Sequence, residues 1–280
     1  MVAFTNNLKT AALLGGLFAL VVFVGSYWGW QGMIIAGVFG VVMNFSVWFF
    51  SDKLAVASMS AKEVDAKSAP ELVDMVQRLA DRAGLPMPRV YVCPQQAPNA
   101  FATGRNPRHA AVAVTQGALQ LLDRHELEGV IAHELAHIKN RDTLTSTIAG
   151  TVAGIFSMLA QMAFFFGGSS REGGHPLVGL LMIIGGAIGA ALIKAMISRS
   201  REFVADADGA AIAGSPDGLA SALRKLDSYS RRIPMDQPNP ALNNLFIVEP
   251  AMSLGGDTLM RLFATHPPTE RRVAALLGRR

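Results

Sequence analysis

The sequence has a single cysteine, Cys93, among its 280 residues. An intramolecular disulfide is therefore excluded, and so is a metal cluster built on several cysteine thiolates. We expect Cys93 to be a core or strand thiol. Charged residues are also scarce, at 16%, whereas 51% of the residues are hydrophobic. This balance is too apolar for a soluble enzyme and indicates a membrane protein.

Four apolar tracts lack charged side chains, and each is near the roughly 20 residues needed to cross the hydrocarbon core of a bilayer. They run from Ala11 to Tyr27, from Met33 to Phe50, from Leu144 to Gly167 and from Leu177 to Ile193. No small-residue cleavage site of the A-x-A kind follows the first tract, so we expect a membrane helix there rather than a signal peptide. The sequence thus predicts four transmembrane helices in two hairpins.

Basic residues are spread beside these tracts rather than gathered into a patch with aromatic residues. This distribution argues against nucleic acid as a partner, despite a net charge of +4. The links within the two hairpins, at Gln31 and at 168–176, carry only Arg171 and Glu172 as charged residues. Lysines and arginines flank the opposite ends, and such flanks are typically cytoplasmic. We therefore expect both termini and the segment between the hairpins to face the cytoplasm.

The segment from Asp123 to Asp142 contains the pattern H-E-x-x-H, formed by His133, Glu134 and His137. An Asp and a Glu spaced as a capping box precede an apolar stripe with spacings of three and four, which predicts a helix. Residues four apart lie roughly 40° apart on one helix face and about 6 Å apart along the axis, so the two imidazoles can bind one metal ion. The Glu134 carboxylate can reach a water in the ion's open coordination position, as a general base would.

The third metal ligand must come from another part of the chain. Asn140 and Thr143 stand where a metzincin would require Gly and His. The segment SRSREFVADADGAAIAG is typical of a helix ending at Gly214, with Glu202 and Asp206 four residues apart on one face. Two acidic residues with this spacing usually lie only on the solvent-exposed face of a helix. Beside an H-E-x-x-H motif, we expect Glu202 to complete a His, His, Glu site and Asp206 to accept a proton from the far nitrogen of a ligating histidine.

A small antiparallel sheet is predicted just before the motif helix. Arg89 to Cys93 is a strand-like run between prolines, and Asn99 to Thr103 and Ala110 to Thr115 are joined by GRNPRH, which suits a hairpin. A helix is predicted to open at Ser68, with Glu71 as its capping-box partner. In a peptidase an edge strand could hold an extended substrate by main-chain hydrogen bonds, although an ordinary sheet hairpin gives the same pattern.

His266 precedes a proline-started terminal helix, in the sequence HPPTERR. Two interpretations stay open for this lone histidine. It is either a hydrogen-bond partner for nearby backbone or a group that contacts substrate in the cleft.

Taken together, these motifs resemble those of the HtpX-type membrane zinc peptidases of the M48 family, over nearly the whole chain. The resemblance rests on NAFATG at Asn99 to Gly104, HELAHIKNRD at His133 to Asp142, SREFVADADGA at Ser200 to Ala210 and HPPTERR at His266 to Arg272. It implies a bacterial inner-membrane endopeptidase with a cytoplasmic catalytic domain, acting in quality control of membrane proteins under stress.

The resemblance also implies roles for individual residues. His133, His137 and Glu202 would bind one Zn²⁺ per chain, and Glu134 would be the catalytic residue. The NAFATG strand would lie beside the substrate, with possible contacts from Asn99, Ala100 and Phe101. The expected partners are unfolded or membrane protein substrates and the lipid bilayer.

The fold class that follows is a mainly α membrane protein with four transmembrane helices and a cytoplasmic α+β zincin-like (gluzincin) catalytic domain that contains the small antiparallel sheet. The first transmembrane hairpin would occupy 11–50 and the second 144–193. The catalytic domain would be formed in two parts, 51–143 with the H-E-x-x-H helix and 194–280 with the third metal ligand.

Two rival interpretations share the same motif. In an intramembrane metalloprotease the H-E-x-x-H would lie within the bilayer, but Glu126, Glu128, Lys139 and Arg141 on the same helix would be costly in lipid. In a membrane scaffold or chaperone-like binder the zinc would be structural, but structural sites usually close with a fourth protein ligand, and no obvious one accompanies the three. We therefore expect zinc-dependent hydrolysis of peptide bonds.

Overall fold

The computed structural model describes residues 2–146, 148, 199–232 and 267–278. The helices of this part of the chain are α1 (Val2–Gly25), α2 (Gly29–Ser58), α3 (Pro70–Ala83), α4 (Gln116–Leu121), α5 (Arg124–Lys139), α6 (Arg199–Ala213), α7 (Asp217–Arg232) and α8 (Thr269–Leu276). The strands are β1 (Lys62–Val64), β2 (Arg89–Cys93), β3 (Ala100–Gly104) and β4 (Ala110–Thr115). Most of the third predicted membrane tract, the whole of the fourth and His266 lie outside the described residues.

Helices α1 and α2 form an antiparallel hairpin that contains the first two apolar tracts. A Cβ atom on Gly25 would lie 2.7 Å from the carbonyl oxygen of Gly32, so the two helices approach closely where the chain turns. Further along, the side chain of Asn44 donates a hydrogen bond to the Leu14 carbonyl at 2.9 Å. Within the described part of the chain, the span Phe4–Phe50 is long and apolar enough to cross a membrane, and only 24% of its most apolar window is buried.

The C-terminal turns of α2 extend beyond the apolar tract and pack on one face of the sheet. Ala55 and Met59 form a buried cluster with residues of the sheet that include Tyr91, Cys93 and Phe101. Arg89 on β2 and Asp52 on α2 form an ion pair at 2.6 Å. The membrane hairpin and the sheet are therefore joined by one continuous helix, and Cys93 is a fully buried strand thiol.

The sheet is mixed, with the strand order β1-β2-β4-β3. Strand β4 pairs parallel with β2 and antiparallel with β3, so the prediction of an antiparallel sheet is wrong. Strand β4 is buried along its whole length: Val112 and Val114 face the main core, and Ala111 and Ala113 face the cluster with α2. A strand apolar on both faces is most stable in the centre of a sheet, which leaves β3 at an edge as a hairpin partner.

The main core lies on the opposite face of the sheet from α2. Val130, Ile131 and Leu135 of α5 pack there, together with residues of α3, α6, α7 and α8. Helix α3 begins at Pro70 with Ala69 as its N-cap, one residue after the predicted cap Ser68, whose hydroxyl instead accepts a hydrogen bond from the Asp65 amide at 2.9 Å. Helix α5 is thus held between the sheet and the later helices.

Candidate metal centre and active site

Helix α5 begins with the predicted capping box. The Asp123 side chain accepts a hydrogen bond from the Glu126 amide at 2.9 Å, and Glu126 Oε2 accepts one from the Asp123 amide at 2.9 Å. The buried Glu126 carboxylate also accepts a hydrogen bond from the Ser221 hydroxyl of α7 at 2.7 Å and pairs with Lys225. These contacts fix the start of α5, and therefore its rotation about its axis.

The two histidines of α5 and Glu202 of α6 direct three metal-ligating groups at one point. The Nε2 atoms of His133 and His137 lie 3.1 Å apart. Each lies 3.7 Å from a different oxygen of Glu202. One ligand atom from each residue falls within 4.8 Å of the others, and all three residues are largely removed from solvent.

The Nδ1 atoms of both histidines face carboxylates. His133 Nδ1 lies 3.0 Å from Asp206 Oδ1, and His137 Nδ1 lies 3.1 Å from Asp142 Oδ2. A carboxylate at Nδ1 favours the tautomer that carries the proton there, which leaves the lone pair of Nε2 available toward the other histidine and Glu202. Two nitrogen lone pairs and one carboxylate therefore converge, and this donor set fits a divalent metal cation.

The electrostatics of the cluster favour a positive charge at the same point. Burial alone would lower the pKa of His137, but the carboxylates of Asp142, Glu202 and Glu134 together raise that pKa to about 9. Either a proton or a metal cation at this point would partly neutralise the buried carboxylates.

Gly209 allows α6 to pack closely enough on α5 for Glu202 and Asp206 to reach the histidines. A Cβ atom at this position would lie 2.9 Å from the Cα atom of His133, so only glycine lets the helix backbones meet here. The close crossing brings Glu202 and Asp206, both of which are buried, over the histidine face of α5.

Arg272 of α8 completes the surroundings of Asp206. Its guanidinium donates from Nε to Asp206 Oδ2 at 2.9 Å and from Nη2 to Oδ1 at 2.7 Å. Its Nη1 atom lies 3.5 Å from Glu202 Oε2. Burial alone would raise the pKa of Asp206, but Arg272 and His133 lower it below its ordinary value. Asp206 is therefore held as a charged acceptor for His133.

Asp142 follows a tight turn at the end of α5. Arg141 adopts a left-handed conformation with φ 57°, which costs an ordinary residue roughly 1–2 kcal/mol. The turn folds the chain back so that the buried Asp142 carboxylate meets His137. Arg201 of α6 lies 3.3 Å from Asp142 Oδ1.

The sequence patterns identified neither Asp142 nor Arg272 as part of the site. Both residues lie in motifs that carry the family resemblance, HELAHIKNRD and HPPTERR, but these motifs do not indicate which side chains they contact. Arg272, for example, pairs with an acid 66 residues earlier in the chain.

Glu134 lies beside the histidines and faces the edge of the sheet. Its Oε2 atom accepts a hydrogen bond from the Ala102 backbone amide of β3 at 2.8 Å. Burial raises the pKa of Glu134, although the neighbouring His133 and His137 oppose this effect. The residue therefore sits where it can take up a proton at a pH higher than an exposed glutamate can.

The three candidate substrate-contact residues of the NAFATG strand occupy different surroundings. Ala100 is in the edge strand β3, and its side chain belongs to the main core beside α5. Phe101 is in the cluster with α2, on the opposite sheet face, so its side chain points away from the histidines. Asn99 is buried just before β3, and its backbone amide donates a hydrogen bond to the Thr115 hydroxyl at 2.8 Å.

Comparisons with known proteins show which family the chain belongs to. The chain matches the family model of peptidase family M48 over residues 66–280. It is 52% identical over 279 residues to a protease HtpX homolog of Desulforapulum autotrophicum, covering 97% of this chain and 89% of that protein. It is also 52% identical over 274 residues to a protease HtpX homolog of Gemmatimonas aurantiaca, covering 97% of this chain and 98% of that protein.

A solved structure shares the fold at lower sequence identity. The crystal structure of S. mikatae Ste24p superposes with a TM-score of 0.51 at 18% identity, over 98% of this chain. This chain spans 66% of the length of that one. The match to the family model over residues 66–280 and the 52% identity to its relatives identify the chain as a member of peptidase family M48, and it is a membrane metalloprotease.

Proposed function

We propose that this protein is an integral membrane zinc endopeptidase that hydrolyses peptide bonds of misfolded or damaged membrane proteins. The observation that carries the proposal is the convergence of His133, His137 and Glu202, with the two Nε2 atoms 3.1 Å apart. Glu134 lies next to this cluster without being one of its three ligating groups.

Zinc suits the proposed ligands. Imidazole nitrogen and carboxylate oxygen are both common zinc ligands, and three protein groups leave a fourth position for substrate or water, as catalytic sites require. When bound, one zinc ion would act as a Lewis acid that makes a water more acidic and polarises the scissile carbonyl. Asp206 and Asp142 would hold the two imidazoles in the tautomer and orientation that binding needs.

Glu134 is the proposed general base. Its buried carboxylate, with a raised pKa, would take the proton of the attacking water and pass it to the leaving amine. The hydrogen bond from the Ala102 amide would orient the carboxylate toward the reacting atoms. Hydrolysis would need no covalent intermediate with the protein.

The edge of β3 is the proposed docking line for substrate. The Ala102 amide points away from β4, toward Glu134, and the Gly104 carbonyl likewise accepts a hydrogen bond from the Thr143 hydroxyl at 3.1 Å. In an antiparallel pair such outward groups recur every second residue, so the main chain of Ala100 would face the same edge. Because the outward groups of Ala102 and Gly104 already bind Glu134 and Thr143, an extended segment of an unfolded protein would bind beside Ala100 through main-chain hydrogen bonds, largely independent of its sequence.

The proposed location is the bacterial inner membrane, with the catalytic domain and both termini in the cytoplasm. The start of α1 contacts the segment after α5, and the end of α2 contacts the sheet. Both ends of the hairpin therefore meet the domain that carries the site, which supports a shared side of the membrane. The second transmembrane hairpin at 144–193 completes the proposed four-helix arrangement, and quality control under stress is the proposed role.

Metal dependence of cleavage tests the proposal. The detergent-solubilised protein would be stripped with a chelator and incubated with an unfolded membrane protein, before and after zinc is added. We expect cleavage to stop on chelation and to return with zinc, but not in a His137→Ala variant, which loses one proposed ligand. Cleavage that persists at full rate after complete removal of metal would contradict the proposal, and a zinc-loaded, folded protein that never cleaves would favour a structural role for the metal.

A further inference from the structure

Asn6 is a buried polar residue near the start of the apolar helix α1. Its exposed fraction is 2%, whereas the neighbouring Asn7 is exposed. A buried amide costs free energy unless its donors and acceptor are satisfied by hydrogen bonds. The contacts of Asn6 therefore show what fixes the position of this end of the helix.

Every polar atom of the Asn6 side chain contacts the surroundings of the metal centre. The Nδ2 atom donates hydrogen bonds to Asp142 Oδ1 and, at 3.1 Å, to the Asn140 carbonyl at the end of α5. The Oδ1 atom lies 3.4 Å from Arg201 Nη1, which donates to it. Two amide protons and one carbonyl oxygen are thus matched to two acceptors and one donor.

These contacts continue directly to a proposed metal ligand. One oxygen of Asp142 receives Asn6 and Arg201, and the other oxygen lies 3.1 Å from His137 Nδ1. A carboxylate with two donors on one oxygen has a restricted orientation, so its second oxygen is directed at the imidazole. Among the described residues, Asn6 forms no hydrogen bond with His137 or with strand β3.

We propose that Asn6 is a positioning residue for the metal centre, which couples the docking of the first membrane helix to the orientation of His137 through Asp142. This inference rests on the proposed function, because it assumes that His137 binds the metal. If α1 moved away from the domain, Asp142 would lose a buried donor and His137 would lose part of its constraint. Metal affinity would then depend on a residue of the membrane hairpin.

The chain offers two matched controls. Asn7→Ala removes the same side chain from the exposed neighbouring position. Thr10→Val removes the 2.9 Å hydrogen bond between the hydroxyls of Thr10 and Thr145, which also holds α1 against the residues that follow α5 but does not involve Asp142. Asn7→Ala controls for the effect of any substitution in this turn of the helix. Thr10→Val controls for a general loss of the contacts that hold α1 in place.

The test measures the zinc dissociation constant of the full-length protein in detergent by competition with a chelating dye. Direct loss of a carboxylate behind a metal-ligating histidine typically costs about 10- to 100-fold in affinity, so we expect Asp142→Asn to fall in that range. Asn6→Ala acts one contact further out, and we expect a loss of about 3- to 10-fold, with kcat lowered and KM unchanged. Asn7→Ala and Thr10→Val should keep the parent affinity.

A double variant shows whether Asn6 acts through Asp142. In the Asp142→Asn background, Asn6→Ala should cost little further zinc affinity, because Asp142→Asn has already weakened the link from Asn6 to His137. An additive loss would overturn the proposal, and so would parent affinity in Asn6→Ala. If Asn6→Ala does not yield folded protein, Asn6→Leu, which has a similar side-chain shape and cannot donate to Asp142, must show the same loss of zinc affinity.

The outcome is distinguishable from failure of the proposed function. If His137→Ala binds zinc as tightly as the parent protein, the metal site itself is misassigned. If His137→Ala loses zinc binding while Asn6→Ala does not, only the positioning role of Asn6 fails.

Discussion

Arg272 and Asp206 form a bidentate ion pair, with hydrogen bonds of 2.9 and 2.7 Å between groups that are both at least 98% buried. Removing one partner of a buried pair leaves an uncompensated charge, which typically costs about 3–5 kcal/mol of stability. We expect Arg272→Met to be destabilised to that extent and Arg272→Lys to be less so, as followed by thermal unfolding in detergent. The adjacent exposed Arg271→Met is the matched control, and equal stability of the two methionine variants would contradict the structural role of the pair.

Glu202 and Asp206 should differ in their effects on metal binding. Glu202→Gln removes a charged group that lies 3.7 Å from both histidine Nε2 atoms, so metal affinity and activity should both fall steeply. Asp206→Asn keeps the three ligating groups but alters the partner of both His133 Nδ1 and Arg272, so we expect a smaller loss of metal affinity of about 10- to 100-fold. Zinc content by elemental analysis checks both, and equal, negligible changes would mean that the third ligand lies elsewhere.

The buried carboxylate of Glu126 predicts a pH-dependent contribution to stability. Burial alone would raise the pKa of Glu126, but Lys225, the Asp123 amide and Ser221 lower it overall. A lowered pKa in the folded state stabilises the protein above the unfolded-state pKa of about 4.3, and this stabilisation is lost as the pH falls through the folded value.

Glu126→Gln should therefore reduce the free energy of unfolding by about 1–3 kcal/mol at pH 7, and by progressively less as the pH falls from about 5 toward 3. Thermal unfolding in detergent across this pH range measures the difference. The exposed Glu71→Gln is the control. A loss of unfolding free energy in Glu126→Gln that grows as the pH falls would contradict the lowered pKa of Glu126.

The membrane orientation can be tested with topology reporters. Fusions after Ser60 and at Arg280 should report the cytoplasm, and a fusion within 168–174 should report the external side, because basic residues flank the first two sites and not the third. An external signal at either of the first two positions would overturn the orientation.

Local features of the site could be predicted from the sequence because they depend on residues close together in the chain. The capping box of α5 and the common face of His133 and His137 follow from helix geometry alone. The sequence predicts that the helix carrying Glu202 and Asp206 ends at Gly214, and this residue directly follows α6 with φ 89°. That these acids meet the histidines could be expected only from the motif.

Features that depend on contacts between distant segments could not be predicted in the same way. The parallel pairing of β2 with β4 arises because β4 is buried on both faces and takes the centre of the sheet, and this competition between strands leaves no local signal. The roles of Asn6 and Arg272 depend on which acid each meets after folding. Strand β1 has three residues, too few for a clear alternation of polar and apolar positions.

Glu134 provides the most direct test of the account, because the residue is assigned to proton transfer and not to metal binding. Purified Glu134→Gln should keep a zinc content close to one ion per chain and should fail to cleave an unfolded membrane protein that the parent protein degrades, since an amide cannot accept the proton of the attacking water. The measurement is zinc content and cleavage rate in the same preparation. Cleavage near the parent rate by the zinc-loaded variant would contradict the account.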